Sequence, residues 1–592
     1  MSLLIQCKKI SKFFGSRTLF RDVSLSVFTK DRLGLIGING SGKSTLLKIM
    51  AGLEGADEGE VVRQRGLIVG YVPQDSPLLH APILNILLAD LANDPRQDYE
   101  KELAAEVLLG KMGFTDYQIL DSALSGGWRK KLAIARQLLH DPELLFLDEP
   151  TNHLDLESIL WLEKFLQQSN LTFIVVSHDR SFLDKVVTTT AELGPQFPQG
   201  ILQIDAPYRR FVELKEDFLA GQKEREGSLR SKARRELEWL RSNPKARTTK
   251  SVARIQEAGE LLDELQTIKE RNQQRRVDIH FSASERETRK LVSTHHLSYS
   301  YGAKILFEKL DVVLSPGTRL GLLGANGSGK TTLLKLLAGE LKPSQGSIKY
   351  ADDLKIVYFD QERFSLPANS TIRTALATHG DYVRYRDREI HVNGWAERFL
   401  FSPTLLDMPI DKLSGGERAR LLIAKLMLQP ADLLLLDEPT NDLDIPTLEI
   451  LEESLLDFPG ALALITHDRT MLHRIANQLL EIGQETKPQH FSSFSQWEEH
   501  TLKKEEPTPP PPPPPKQNPS SAPVKRSWKE TKELEEIERK IPVLEQELKD
   551  LQQKLDTALP TELHCLCTDI DDKQQHIEKL YTRWQELYPP QS

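Results

Sequence analysis

Gly37-Ile38-Asn39-Gly40-Ser41-Gly42-Lys43-Ser44 recurs, almost letter for letter, as Gly324-Ala325-Asn326-Gly327-Ser328-Gly329-Lys330-Thr331. Each copy follows a short apolar run, Leu33 to Ile36 or Leu320 to Leu323, and precedes a leucine-rich one. That order predicts strand, loop, helix. In such a setting the glycines let successive backbone N–H groups turn toward one anion, and the opening helix presents its positive end to it. Lys43 or Lys330 then reaches the outer phosphates, and the Ser44 or Thr331 hydroxyl is placed to ligate Mg²⁺. A single copy is open to reading as a chance glycine-rich turn. Two copies in matching contexts are not.

The duplication extends well beyond the loops. Phe14-Gly15 recurs as Tyr301-Gly302, Gln74 as Gln361, Ser125-Gly126-Gly127 as Ser414-Gly415-Gly416, Asp148-Glu149-Pro-Thr-Asn as Asp437-Glu438-Pro-Thr-Asn, and His178-Asp-Arg as His467-Asp-Arg. Gly37 and Gly324 differ by 287 positions, Asp148 and Asp437 by 289, so a small net insertion separates the glutamine from the Ser-Gly-Gly of one copy. The sequence therefore holds two related α/β domains. The runs Leu144 to Leu147 and Leu433 to Leu436 read as buried strands that deliver Asp148 and Asp437 at their ends. Each Ser-Gly-Gly opens a helix rich in Arg, Lys, Leu and Ala, giving a hydroxyl and free N–H groups at a positive helix end.

A chain of 592 residues is too long for one core, and three to five units are expected. No uninterrupted apolar run reaches the roughly 18 to 20 residues of a membrane helix. Met1 to Ile10 lacks the pattern of a signal peptide, and only Cys7, Cys565 and Cys567 are present, so a reducing, cytoplasmic setting is expected and no disulfide framework. Cys565 and Cys567 lack two further nearby ligands and read as helix filler rather than a metal site. The net charge of -9 gives no sign of nucleic acid by itself.

The twice-repeated motif set resembles the nucleotide-binding domains of ATP-binding cassette proteins, over residues 1–214 and 290–502. The resemblance implies ATP and Mg²⁺ as ligands. It assigns nucleotide contacts to the loop residues Gly37, Asn39 to Thr45 and Gly324, Asn326 to Thr332 (Gly40, Ser41, Gly42, Lys43, Ser44; Gly327, Ser328, Gly329, Lys330, Thr331), and an adenine-stacking role to Phe14 and Tyr301. Asp148, Asp437, Gln74 and Gln361 join Ser44 and Thr331 at the metal; Glu149 and Glu438 polarise the attacking water; His178 and His467 meet the γ-phosphate. In the family two domains stack head to tail. Ser414-Gly415-Gly416 would then complete the site of Lys43, Ser125-Gly126-Gly127 that of Lys330, with Asp155 and Asp444 in the loops between them. ATP is thereby expected to join the two domains and its hydrolysis to part them, within a monomeric chain. One departure is Trp128, where Gln or Glu is commoner and Glu417 stands in the second copy.

Residues 215–289 change pattern to long charged helices. Apolar positions Leu229, Leu237, Trp239 and Leu240 mark one arm and Val252, Ile255, Leu261, Leu262, Leu265 and Ile268 the other, with a turn at Pro244. From Gly221 to Arg254 there are eleven Lys or Arg against four Glu, a basic tip on an acidic protein. Arg241, Lys245, Arg247, Lys250 and Arg254 are the expected contacts to a nucleic-acid backbone, read by charge and shape rather than by base. Two cassettes, no membrane domain and a linker of this kind resemble the ABC-F family, and the tip and Trp128 look most like its Uup subgroup. That resemblance implies binding to the ribosome and tRNA near the exit site. No long hairpin is inserted between Gln74 and Ser125, so the L1-stalk contact of some relatives is not expected.

Residues 503–527 contain eight prolines between Pro507 and Pro515, a stiff spacer. Residues 528–592 alternate apolar positions by three and four, from Leu534 to Leu555 and from Ile577 to Leu587, and predict an antiparallel coiled-coil hairpin broken near Pro560. Nucleic acid, the ribosome or another chain are equally open as its partner. The leading expectation is an ATPase that binds ribosomes when ATP joins the cassettes. A DNA-binding ATPase of branched or repair intermediates, and more weakly a transporter motor subunit, are the alternatives.

Overall fold

The computed structural model describes residues 2–15, 17–75, 77–152, 154–241, 290–302, 304–360, 370–377, 380–385, 388–399, 401–413, 415–441, 443–483 and 488–505, with helical residues 256, 259–262, 265, 266, 540, 544 and 579. The chain divides into two compact units, Met1–Glu505 and Glu506–Ser592. The expected coiled-coil hairpin of the second unit lies almost wholly outside the described residues, as does the basic tip of the linker.

Each cassette is built on a six-stranded sheet. In the first, the order is Val69–Val72, Leu144–Asp148, Thr172–Val176, Arg32–Gly37, Thr189–Leu193 and Ile201–Ile204. All neighbours pair in parallel except the last two strands, which are antiparallel. The second cassette repeats the order with Ile356–Asp360, Leu433–Asp437, Ala461–Ile465, Arg319–Leu323, Gln478–Glu481 and Gln489–Phe491. Leu144–Asp148, Thr172–Val176 and Ala461–Ile465 are buried at every residue. A parallel strand covered on both faces needs that unbroken apolar run, which is why it lacks the alternation of a half-exposed strand.

Against one face of the first sheet lies an antiparallel layer of Arg17–Phe28, Leu3–Phe14 and Glu58–Arg63, and the helix Lys43–Ala51 sits in the core between them. The other face carries the helices Ile83–Asp90, Gly126–Leu138 and Leu156–Gln168. In the second cassette the segment before the Gly-Gly helix differs. Where the first copy has the helix Asp98–Lys111, the second has a hairpin, Tyr382–Tyr385 with Arg388–His391, packed through Tyr385 on Trp395. This is where the two copies change their spacing.

A helix of 34 residues, Tyr208–Arg241, leaves the first cassette. Tyr208 and Phe211 are buried in that cassette's core, so the helix crosses the boundary expected at residue 215 without a break. Farther along, Leu229 and Ala233 are buried one turn apart, whereas Leu237, also expected on the apolar side of this arm, is exposed.

Candidate functional site

The strand Arg32–Gly37 runs into the glycine loop, and Gly42 caps the helix that follows with φ 94°. A Cβ on Gly42 would stand 2.8 Å from Phe20 Cδ1, so both conformation and space exclude other residues. Lys43 is buried and donates to the carbonyls of Gly37 (2.9 Å) and Ile38 (3.2 Å). Lys330 does the same with Gly324 (2.6 Å) and Ala325 (3.3 Å). Burial lowers the pKa of both lysines. Glu149, Asp444 and Asp148 oppose it for Lys43, and Glu438, Asp155 and Asp437 for Lys330. One of the opposing carboxylates in each set comes from the other cassette. Ser41 Oγ and Ser328 Oγ are buried without a hydrogen-bond partner among the described residues, which suits donors waiting for a phosphate oxygen.

The strands that end at Asp148 and Asp437 are each followed by a glutamate in the left-handed region, Glu149 at φ 43° and Glu438 at φ 48°. That turn is costly for a residue with a Cβ, and it lifts the carboxylate off the strand beside the loop. His178 Nε2 stands 3.2 Å from Glu149 Oε1 and His467 Nε2 3.1 Å from Glu438 Oε1. Burial first, and then Lys43, holds His178 well below the ordinary imidazole range. Burial and Lys330 bring His467 to about 3. Both rings are therefore neutral and donate through Nε2, while Nδ1 of each has no partner among the described residues. Burial raises Glu438 to about 7 against the pull of Lys330.

The Ser44 hydroxyl donates to Asp148 Oδ1 at 2.9 Å, and Tyr71 donates to Asp148 Oδ2 at 3.0 Å; Tyr358 repeats this on Asp437 Oδ2 at 3.4 Å. A hydroxyl and a carboxylate in contact, with Ser44 and Gln74 both lining the same cavity, make a set of hard oxygen donors that fits Mg²⁺. Ser44 and Asp148 would hold the ion in the first site, and Asp437 with Thr331 in the second. Bound there, the ion would supply positive charge to offset the negative charge that develops on the phosphate oxygens as the terminal P–O bond breaks. Lys130 fixes the Gln74 segment from below by donating to the carbonyls of Pro73 (3.2 Å) and Gln74 (2.8 Å).

The first site is closed by the second cassette. A cavity of about 530 Å³ is lined by Phe14, Asn39, Gly40, Gly42, Lys43, Ser44, Thr45, Gln74, Glu149 and His178, and also by Gly416. A Cβ on Gly416 would come within 2.4 Å of Asn39 Nδ2 and 2.7 Å of Asn39 Cβ, so a glycine here lets the second cassette lie directly against the Asn39 side chain. Asp444 Oδ2 accepts the Asn39 N–H at 2.9 Å, and Asp155 Oδ2 the Asn326 N–H at 3.5 Å. The remaining oxygen of each aspartate caps its own helix, on Ser158 N (3.0 Å) and Thr447 N (3.1 Å). The next residues exchange cores: Leu156 packs with Leu323, Leu472 and Phe491, and Ile445 joins the core of the first cassette.

Other expected residues fall as follows. Ser125 stands at the N-cap position of the helix Gly126–Leu138 without a side-chain capping bond, and Gly127 lies against Ser158 of its own cassette. Gly415 opens the corresponding helix Gly415–Leu426. Phe14 is half exposed at the cavity with the Lys12 ammonium 5.7 Å from its ring centre, and Tyr301 is more open still. Thr332 lies in the helix Lys330–Leu337. Trp128 packs on Phe114, their rings 4.8 Å apart, and the Lys131 ammonium lies between Trp128 and Trp161 at 4.2 and 4.4 Å. Gln361, Ser414, Lys245, Arg247, Lys250 and Arg254 are outside the described residues, and Arg241 is described only as the last residue of its helix. Sequence reasoning did not single out Tyr71, Tyr358, Lys130, Arg180 or Arg469. The repetition of His-Asp-Arg carried the signal for the two arginines.

Two cassettes that share each other's phosphate loops define a tandem ATP-binding cassette ATPase. The family description "ABC transporter" matches residues 20–152 and 307–441, and "ABC transporter C-terminal domain" matches 525–588. The chain is 34% identical over 529 residues to the Energy-dependent translational throttle protein EttA of Haemophilus influenzae, covering 82% of this chain and 94% of that one. It is 33% identical to the ATP-binding protein Uup of the same organism, covering 97% and 96%. Among solved structures, that of an archaeal ribosome recycling factor, aABCE1, in complex with the ribosomal stalk protein aP1 aligns with a TM-score of 0.54 at 20% identity, covering 84% of this chain and 92% of that one. The chain belongs to the ABC-F family, tandem-cassette ATPases, and its match to Uup runs nearly end to end. Among the described residues no helix is long and apolar enough to cross a membrane.

Proposed function

We propose that this ATPase engages the ribosome beside tRNA when ATP clamps its cassettes together, and leaves when ATP is hydrolysed. The observation that carries the reading is the composite site. Gly416 and Asp444 of one cassette touch Asn39 of the other, so a nucleotide held by Lys43 is enclosed only when the halves are joined. Hydrolysis at Glu149 then removes the group that both halves grip. His178, as a neutral donor, orients the Glu149 carboxylate, whose second task is to align the attacking water. The phosphate-loop N–H groups and Lys43 take up the charge that develops on the phosphoryl oxygens.

The 34-residue helix supports the ribosomal part of the reading, since it carries the basic residues between Gly221 and Arg241 beyond its root in the first cassette. The name of the EttA relative, a translational throttle, is in keeping with it. The test is sedimentation of the Glu149→Gln, Glu438→Gln protein with ribosomes. It is expected to co-sediment with ATP and not with ADP. A protein that stays in the supernatant under both conditions would rule the proposal out.

A further inference from the structure

Beneath the two nucleotide sites, the His-Asp-Arg turns of the cassettes meet across a near two-fold axis. Arg180 of the first cassette pairs with Glu452 of the second, and its Nη2 lies 3.3 Å from Asp468 Oδ2. Arg469 of the second pairs with Glu163 of the first, with Nη2 3.7 Å from Asp179 Oδ2. Ser181 Oγ and Thr470 Oγ1 meet at 3.0 Å between them. Glu163, Glu452 and Asp468 are buried, as are both arginines, and the Asp179 side chain is only 9% exposed.

The contact leads directly to the chemistry. Asp179 follows His178, and its other oxygen caps the helix Arg180–Val186 at Phe182 N (2.9 Å). Its N–H donates to Ser177 Oγ (3.1 Å), which is bonded to Thr151 Oγ1 (2.9 Å), two residues beyond Glu149. The second cassette repeats every step. Asp468 caps Met471 N (3.0 Å) and donates to Thr466 Oγ1 (3.1 Å), which meets Thr440 Oγ1 at 2.8 Å. Each turn that carries the histidine and braces the glutamate is thus held from outside by an arginine of the opposite cassette.

We propose that Arg469 is a positioning residue for the site of Glu149 and His178, and Arg180 for the site of Glu438 and His467. Each arginine docks only when the cassettes are joined, so closure aligns the glutamate and histidine of the opposite site at the same moment that it encloses the nucleotide. The two sites are then coupled through protein as well as through ATP. The proposal rests on the assignment of Glu149 and Glu438 as the water-aligning carboxylates.

The experiment uses the full chain and single-turnover hydrolysis of bound ATP. Glu438→Gln leaves the Glu149 site to be observed alone, and Glu149→Gln leaves the other. Adding Arg469→Lys is expected to slow the Glu149 site by about tenfold to a hundredfold, the scale of a misaligned reacting group, with nucleotide affinity changed less than about twofold. Arg180→Lys in the same background is expected to slow it far less. The pattern is expected to reverse in the Glu149→Gln background. Lysine keeps the charge, and unchanged circular dichroism and unfolding midpoint verify that each variant folds. Equal slowing of both sites by each arginine variant would mean a general loss of interface and would overturn the proposal. So would silencing of both sites by either glutamine alone, because no one-sided effect could then exist. Hydrolysis that persists in the double glutamine protein would instead overturn the assignment of the carboxylates.

Discussion

Asp444 stands in the second cassette and Asn39 in the phosphate loop of the first, yet the aspartate accepts the asparagine's backbone N–H at 2.9 Å. Burial pushes the Asp444 carboxyl up, but hydrogen bonds from Thr447 and Asn39 and the Arg420 charge together hold it below the ordinary range. It is a charged acceptor on an N–H that shapes the anion site. Asp444→Ala removes a helix cap worth about 0.5 to 2 kcal/mol and the bridge to Asn39 with it. ATP turnover is expected to fall roughly tenfold or more, with the larger part in KM because closure weakens. Asp155→Ala, whose bridge to Asn326 is 3.5 Å long, is expected to cost less. Steady-state kinetics of the two variants side by side check the order.

Phe14 offers an exposed ring at the mouth of the first cavity, with a cation above it and no packing role in the core. An aromatic stack is worth about 0.5 to 1.5 kcal/mol beyond area burial, so Phe14→Ala is expected to raise KM for ATP by roughly three- to tenfold. Its kcat should stay within about twofold, and Phe14→Tyr should match the native chain. Thermal unfolding should be unaffected.

Trp128 makes the opposite case. It sits in the motif that would face a nucleotide, yet its ring is spent on Phe114 and on Lys131, which it clasps together with Trp161. Trp128→Gln is therefore expected to destabilise the first cassette by about 2 to 4 kcal/mol, in the range for loss of a large packed side chain. KM for ATP should be little changed. Urea unfolding of the variant against the native chain provides the measurement.

Cys7 is buried in the antiparallel layer, and burial pushes its thiol up to about 12. Only about one molecule in ten thousand would carry a thiolate there at pH 8, and alkylation requires the thiolate. With Cys565 and Cys567 replaced by serine, the native protein is expected to resist iodoacetamide at pH 8 and to label at one site in denaturant. Mass spectrometry of the intact chain reads the result. Rapid labelling without denaturant would show that the layer Leu3–Phe14 opens in the native state.

Much of the fold and of the site is legible in the sequence itself. The phosphate loops, the buried strands ending at Asp148 and Asp437 and the helix starts at Gly126 and Gly415 all follow from local patterns, because each is set by residues adjacent in sequence. The stacking of Gly416 on Asn39 followed from the family resemblance rather than from the residues. What stayed hidden was decided between segments far apart. Arg180 and Glu452 have no local signature as a pair, and an arginine that opens a helix reads as a solvent-facing charge until its partner is known. Tyr71 was invisible for a similar reason, being one apolar-looking residue in a short strand until the neighbouring strand places Asp148 beside its hydroxyl. The hairpin Tyr382–Tyr385 with Arg388–His391 was missed because only a net shift in spacing marked the region.

The helix Tyr208–Arg241 also sets a mechanical ratio. At about 1.5 Å per residue its 34 residues reach roughly 50 Å, and its base is gripped by Tyr208 and Phe211 inside the first cassette. A rod of that length swings its far end by about 9 Å for a tilt of about 10° at the root. Motions of a few ångströms around a phosphate would thereby be geared up into excursions larger than the roughly 3.4 Å rise between stacked base pairs.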